Sequence, residues 1–280
     1  MKTLEEPQDA RENHVLFDRL SALDIAAFVV DAIDLSPGAA IPSDGDPRID
    51  RALAGFLFTC GPEHIRHPEP IEGGADGARY PLHGSLAGTA VSHTEMAGDG
   101  VECTATIEVA LAGGGQARVE RRWRIDAARR EVVLEDRVVN SGTSAFPPMM
   151  MYHLNVGGRL LGPGTRIVSA SLAGGVSAWR FGEGESAHFC LPAAIGADGW
   201  SEVTLADLAG LGGRSLKVRF RADTLPFLQM WRCQRGEADV ISIEPVSHRI
   251  AKRPELAAAG ELVPLSPGEA QSYAIAFSVV

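Results

Sequence analysis

Apolar and polar residues alternate with a period of two through most of the chain. The alternation is clearest over residues 101–111, where apolar side chains alternate with Glu and Thr. A period of two places successive side chains on opposite faces of a strand, so this segment predicts a strand with one buried face. Three glycines at 113–115 follow, and the alternation resumes around Trp123, which predicts an antiparallel hairpin. Similar alternation predicts further strands at Val132, Leu134 and Val138, at Val218 and Phe220, and at Tyr273, Ile275, Phe277 and Val279.

One segment leaves the choice between helix and strand open. Residues 15–29 could form a helix with one apolar face, or another strand or two. The 31 glycines and 17 prolines are scattered as turns and form no linker, and no 20–50 residue repeat indicates a propeller or solenoid. We therefore predict an all-β fold, a large antiparallel β-sandwich made by one domain over residues 1–280. Residues 1–14 are expected to be a flexible N-terminal segment.

Charge and composition restrict the partners. The hydrophobic content of 45% suits a buried core, and a net charge of −10 would repel nucleic acid. The basic cluster Arg121, Arg122 and Arg124 is expected to be a solvated sheet face. The N-terminus shows no secretory signal, and no apolar segment approaches the roughly 20 residues that span a bilayer. We expect a cytoplasmic protein that binds neither nucleic acid nor membrane.

The four cysteines are far apart in the sequence and form no CxxC motif: Cys60, Cys103, Cys190 and Cys233. This spacing argues against a zinc knuckle or a redox pair. We expect four unpaired and mostly buried thiols.

Two segments place a histidine where chemistry could occur. His83 precedes Gly84, a residue that lets a ligand or backbone approach closely, although a histidine in a loop often has no function. His153 and Asn155 share one face of a predicted strand, which indicates a wet cleft. A hydrogen-bonded histidine of the core is an equally good interpretation of His153.

A third segment places a carboxylate in an apolar strand. Glu244 lies on the face opposite Ile241 and Ile243, and an isolated buried charge is so costly that it must be solvated, paired or functional. Pro245 follows, which predicts the end of the strand at the rim of a site. Upstream, Gln229 could hydrogen-bond sugar hydroxyls and Trp231 could pack against a sugar ring, or both could be ordinary packing residues.

In their order along the chain, these segments resemble the galactose-mutarotase-like superfamily, and within it the aldose-1-epimerase-like DUF4432 family, over roughly residues 16–280. The motifs that carry the resemblance are Leu23-Asp24-Ile25, Phe56-Leu57-Phe58-Thr59-Cys60-Gly61, Tyr80-Pro81-Leu82-His83-Gly84, Met151-Tyr152-His153-Leu154-Asn155, Ile243-Glu244-Pro245 and Leu265-Ser266-Pro267-Gly268-Glu269. The chain departs from the expected pattern in a shorter N-terminal part and in Ser85, where the related branch often has arginine. The second departure concerns substrate recognition.

The resemblance implies roles for three side chains. His83 would contact the anomeric region, His153 would be the general acid on the ring oxygen, and Glu244 the general base on the anomeric hydroxyl. The side chains expected to bind the sugar are Arg79, Asn155, Gln229 and Trp231. A carboxylate and a histidine can open and close a sugar ring near neutral pH without a metal or organic cofactor.

We therefore expect an aldose 1-epimerase-like isomerase that acts on a small sugar and could form a homodimer through its sheet edges. One alternative is a noncatalytic carbohydrate-binding or sensing protein, because a fold does not dictate function. Another is a different sugar isomerase or lyase on the same fold. A weaker alternative is that His83, His153 and Glu244 bind a metal ion.

Overall fold

Strands make up most of the regular structure in the computed structural model, which describes residues 13–39, 41, 45–98, 101–126 and 131–280. In chain order they are β1 (Asn13–Asp18), β2 (Asp24–Val30), β3 (Ile33–Asp34), β4 (Leu57–Cys60), β5 (His93–Met96), β6 (Glu102–Ala110), β7 (Gln116–Asp126), β8 (Glu131–Asn140), β9 (Met151–Gly157), β10 (Arg166–Val168), β11 (Val176–Ala178), β12 (Ser186–Pro192), β13 (Trp200–Leu208), β14 (Arg214–Arg221), β15 (Phe227–Cys233), β16 (Val240–Val246) and β17 (Ala270–Val279). The helices are α1 (Pro47–Ala54) and α2 (Arg253–Ala258), and short 3-10 turns occur at Gly158–Leu160, Ala173–Gly175 and Ala209–Leu211.

The strands form two antiparallel sheets. The first has the order β1-β2-β4-β9-β16-β15-β12, with β3 beside β2, and the second has the order β11-β10-β13-β14-β17-β8-β7-β6-β5. The predicted hairpin is β6–β7, in which Ala110 pairs with Gln116 across the glycine turn. The prediction of an all-β antiparallel sandwich is confirmed.

The main core lies between the two sheets. Alternate side chains of β7 and β8, such as Trp123 and Leu134, meet Tyr152 and Leu154 from β9 of the first sheet. All four are fully buried, and burial of a large apolar side chain contributes about 1.5–3 kcal/mol. This is the physical reason for the period of two in the sequence.

A second apolar cluster covers the outer face of the first sheet, the face that points away from the second sheet. Helix α1 packs Ile49 and Leu53 there, and the loop after β4 adds Ile65 and Leu82. As a result, every residue of β9 and of β16 is buried, on both faces of the sheet. Polar side chains on the outer face of these strands are therefore enclosed.

The segment at 15–29 forms strands β1 and β2, so the strand interpretation holds and the helical one is wrong. Ala22 and Leu23 between them have φ angles of 49° and 56°, in the left-handed region that a right-handed helix excludes. Of the expected flexible segment 1–14, Asn13 and His14 belong to β1. Residues 1–12 lie outside the described residues.

Pro245 corrects another expectation, because it lies inside β16 and not at the end of the strand. Its partner in β15 is Leu228. Toward β9, the pairing of Ile243 with Leu154 and of Val246 with Met151 brackets a gap at Glu244 and Pro245. Proline has no N–H to donate, so the ladder is interrupted at this point and the strand continues beyond it.

A buried ion network joins the two sheets. Arg121 of β7 donates to both carboxylate oxygens of Asp136, at 2.9 and 2.7 Å, and to Asp24 of β2 at 2.6 Å. Burial favours a lower pKa for Arg121, but Asp136 and Asp24 outweigh it and raise that pKa. The expectation that Arg121 is solvated, like Arg122 and Arg124, is wrong. Arg121 and Trp123 are two residues apart along β7, so their side chains lie on the same face of the strand, which is the face toward the core.

The cysteines are unpaired, as the sequence predicted. Cys60, Cys103 and Cys233 are buried and Cys190 is half-buried. Among the residues described, no helix is long and apolar enough to cross a bilayer.

Candidate active site

A cavity of about 390 Å³ opens on the outer face of the first sheet, beside α1 and the loop after β4. His83, His153, Gln229, Trp231 and Glu244 all line it. These side chains are far apart in the sequence and come together because β9, β16 and β15 are adjacent strands. The cavity thus holds the three residues expected to be catalytic.

The orientation of the His153 ring is fixed by its contacts on the side away from the cavity. Its Nδ1 is 2.6 Å from Oδ1 of Asn155, while the amide nitrogen of Asn155 donates to the backbone oxygen of Gly55 at 3.0 Å. The amide oxygen is therefore the acceptor, and His153 carries a proton on Nδ1. The ring of Phe58 stacks on the imidazole with centroids 4.6 Å apart. Nε2 is left as the ring nitrogen that faces Glu244.

Glu244 is almost fully buried, with 1% of its surface exposed. Its Oε1 is 3.2 Å from Nε2 of His153 and also accepts a hydrogen bond from the hydroxyl of Ser242. The two atoms are thus at ion-pair distance, at which a protonated imidazole is attracted to the carboxylate. An imidazole and a carboxylate thus lie in direct contact inside the cavity.

The other oxygen of Glu244 is held by a chain of polar groups. The amide nitrogen of Gln229 donates to Glu244, and the amide oxygen of Gln229 accepts from Arg66 at 2.6 Å. Arg66 also donates to the backbone oxygen of His248 at 2.8 Å. Burial lowers the pKa of Arg66. This guanidinium fixes which end of the Gln229 amide faces the carboxylate.

His83 reaches the cavity from the loop after β4. Its φ angle is 59°, and Nδ1 is 3.1 Å from the backbone oxygen of Ile65, so Nδ1 is the donor and Nε2 the acceptor. Gly84 follows with a φ of 83°, and a Cβ there would lie 2.1 Å from the backbone oxygen of His64. Burial, and next the nearby His153, lowers the pKa of His83 to about 3. His83 is therefore neutral and can accept a hydrogen bond from a hydroxyl.

The pKa of His83 predicts a pH dependence of stability. The folded form binds its proton only near pH 3, whereas the unfolded form binds it near the ordinary value of 6.5. Between these values the unfolded state holds more protons, so the free energy of unfolding falls as the pH falls. We expect His83→Asn to flatten this fall, by at most about 1.4 kcal/mol per pH unit, in denaturant titrations between pH 6.5 and 4.

Asparagine is the suitable replacement because it tolerates the left-handed backbone of position 83. His93→Asn is the matched control, since His93 is exposed on β5. A pH slope in His83→Asn identical to that of the wild type would contradict the prediction.

Two of the residues expected to bind sugar do not reach the cavity. Arg79 is exposed and donates to the backbone oxygen of Pro68 outside the cavity, because Arg79 pairs with Pro70 in a short bridge. Asn155 is fully buried behind His153, so it positions that ring. Trp231 lines the cavity, and its ring meets that of His153 in a T-shaped contact with centroids 5.7 Å apart. Ser85 donates to the buried carboxylate of Glu63.

Sequence reasoning missed several polar side chains around the cavity: Arg66, Ser186, His188, Arg235 and Ser242. Ser186 and His188 alternate along β12, and this period of two could have identified them. Arg66 lies in a loop, where no periodicity gives its direction. Among the described residues, no three His, Cys, Asp or Glu side chains are grouped so as to hold a metal ion.

Solved structures with the same fold come from several organisms. A candidate aldose 1-epimerase from Klebsiella pneumoniae is 15% identical, with a TM-score of 0.76 over 95% of this chain and 76% of that one. A candidate aldose 1-epimerase from Escherichia coli K12 is 17% identical, with a TM-score of 0.63 over 93% of each chain. A homologue of GalM/aldose epimerase from C. elegans is 12% identical, with a TM-score of 0.64 over 96% of each chain. The fold is therefore that of the galactose-mutarotase-like proteins.

The sequence profile of DUF4432, a domain of unknown function, matches residues 38–279. The chain belongs to this family, which confirms the resemblance seen in the sequence. A search of curated protein sequences finds no significant match.

Proposed function

We propose that the protein is an aldose 1-epimerase-like isomerase, which interconverts the anomers of a sugar by acid–base opening and closing of the ring. The observation that carries the proposal is the 3.2 Å separation between Nε2 of His153 and Oε1 of Glu244 inside the cavity. The ring oxygen and the anomeric hydroxyl are both attached to the anomeric carbon. An acid and a base that serve these two oxygens must therefore lie side by side.

The contact between the imidazole and the carboxylate fits this reaction. Starting from imidazolium and carboxylate, Glu244 takes the proton of the anomeric hydroxyl while His153 gives its Nε2 proton to the ring oxygen. The bond between the anomeric carbon and the ring oxygen breaks, and the anomeric carbon–oxygen bond becomes a carbonyl. The open aldehyde rotates and recloses on either face with the two proton transfers reversed. The pair begins and ends with one proton, so no cofactor is required.

The surrounding groups support these roles. Asn155 holds His153 by Nδ1, which leaves Nε2 toward the substrate. Gln229 and Ser242 hold the two oxygens of Glu244. Trp231 offers an apolar surface to a sugar ring, and Nε2 of neutral His83 can accept a hydrogen bond from a sugar hydroxyl.

NMR measurement of anomer exchange tests the proposal. We expect the purified protein to accelerate exchange of at least one aldose above the rate in buffer, in a screen of neutral, phosphorylated and acidic sugars. Boiled protein is the control for catalysis by buffer. Sugar binding without acceleration of exchange would contradict the proposal and favour a noncatalytic carbohydrate-binding function.

A further inference from the structure

The end of the cavity remote from His153 and Glu244 carries a second polar group, which we term the β12 cluster: Ser186, His188 and Arg235. Ser186 and His188 lie on β12, where they pair with Cys233 and Trp231 of β15. Arg235 lies in the hairpin after β15, and the backbone N–H of Gln234 donates to the oxygen of Glu185 at 2.7 Å. This bond keeps the hairpin beside Ser186. All three residues of the cluster line the cavity.

Arg235 differs in its ion pairing from three half-buried arginines on β14. Arg214, Arg219 and Arg221 each form an ion pair at 2.6 Å. Arg235 has no ion pair and no side-chain hydrogen bond with any residue in the described part of the chain, and the same is true of His188. The side-chain donors of Arg235 and His188 are thus available to a ligand, whereas the hydroxyl of Ser186 donates to the backbone oxygen of Arg232 at 3.2 Å.

The cavity is also positive near the reactive pair. Arg66 contacts an amide oxygen and a backbone oxygen, but none of the described carboxylates pairs with it. Its Nε is buried without a hydrogen-bond partner. Two guanidinium groups, those of Arg66 and Arg235, and one carboxylate, that of Glu244, line the cavity. This local excess of positive charge lies in a chain whose net charge is −10.

The spacing of the strands fits a sugar between the two ends. Gln229 and Glu244 are paired across β15 and β16, and Trp231 and Cys233 follow Gln229 by two and four residues. The rise along a strand is about 3.3 Å per residue. The position of His188 is therefore about 7 Å, and that of Ser186 about 13 Å, along the strands from the paired residues Gln229 and Glu244. A pyranose lying over Trp231 with its anomeric carbon at Glu244 would direct its far substituents toward the β12 cluster.

We propose that the substrate is an anionic sugar, whose carboxylate or phosphate group lies remote from the anomeric carbon and is bound by Arg235 together with His188. A guanidinium matches the paired oxygens of either group, and the imidazole of His188 adds a single donor. This inference rests on the proposed function for the orientation of the sugar. The inference that the ligand is an anion is argued independently, from cationic side chains that no carboxylate of the described residues pairs with.

The test compares an aldohexose with its 6-phosphate and with the matching hexuronic acid, in the gluco and galacto series. Affinity is measured by calorimetry and exchange by NMR, on wild type, Arg235→Gln, Arg235→Lys and Arg219→Gln. Arg219 is the matched control, since it pairs with Asp198 away from the cavity. The phosphate and carboxylate arms distinguish the two kinds of anion.

We expect the wild type to prefer one anionic sugar over the neutral sugar by about tenfold or more in affinity. Arg235→Gln should remove most of this preference, Arg235→Lys should retain part of it, and Arg219→Gln should leave it unchanged. Equal affinity for neutral and anionic sugars in the wild type, or a preference that survives Arg235→Gln, would overturn the inference. Anion binding that depends on Arg235 without any anomer exchange would support the inference and overturn the proposed catalysis.

Discussion

Replacement of Glu244 by glutamine should lower the rate of anomer exchange by about a hundredfold to ten-thousandfold while sugar affinity changes little. The amide has the shape of the carboxylate and can still hydrogen-bond with Gln229 and Ser242, so the fold should be retained. It cannot accept the proton of the anomeric hydroxyl as a base. NMR exchange rates and calorimetric affinities on the same protein preparation measure both properties.

The partner variant His153→Asn should cause a similar loss from the acid side. Because His153 and Glu244 act together in the proposed proton transfers, the double variant should lose little beyond the slower single variant. Glu135→Gln is the control for loss of a carboxylate, since the side chain of Glu135 on β8 is 44% exposed. Exchange in Glu244→Gln at the rate of the wild type would exclude the role of that residue as base.

Replacement of Arg121 by methionine should lower the free energy of unfolding by about 3–5 kcal/mol, because the change leaves two buried carboxylates without their cation. Asp24 and Asp136 are 2% and 1% exposed, and each loses an ion pair with Arg121 at 2.6 or 2.7 Å. Methionine keeps most of the side-chain length, so the loss reports charge more than cavity formation. Chemical denaturation monitored by tryptophan fluorescence measures the change.

Arg122→Met is the matched control on the neighbouring residue. Arg122 is half-exposed and pairs with Glu102 on the surface, where an ion pair contributes up to about 1 kcal/mol. Equal losses in the two variants would show that the buried network does not stabilise the contact between the sheets. A free energy of unfolding for Arg121→Met equal to that of the wild type would show the same.

The two histidines of the site differ in how far the sequence specified them. Alternation along β9 correctly placed His153 and Asn155 on one face, because strand geometry fixes the direction of every second side chain. For His83 the neighbouring glycine indicated a close backbone approach, but a loop has no period that determines direction. The contact of His83 with the cavity depends on the bond between Nδ1 and the backbone of Ile65.

The sequence by itself determined the all-β class, the β6–β7 hairpin, the family and most of the site residues around Glu244. These follow from local periodicity and from the order of the motifs along the chain. Only the tertiary structure paired His153 with Glu244, since adjacency of β9 and β16 is a nonlocal property of the sheet. The tertiary structure likewise placed Arg66 beside Gln229 and placed Arg79 outside the cavity. The charge of the cavity was also beyond the sequence, because Arg66, Arg235 and Glu244 belong to a loop, a hairpin and a strand that meet only when the chain folds.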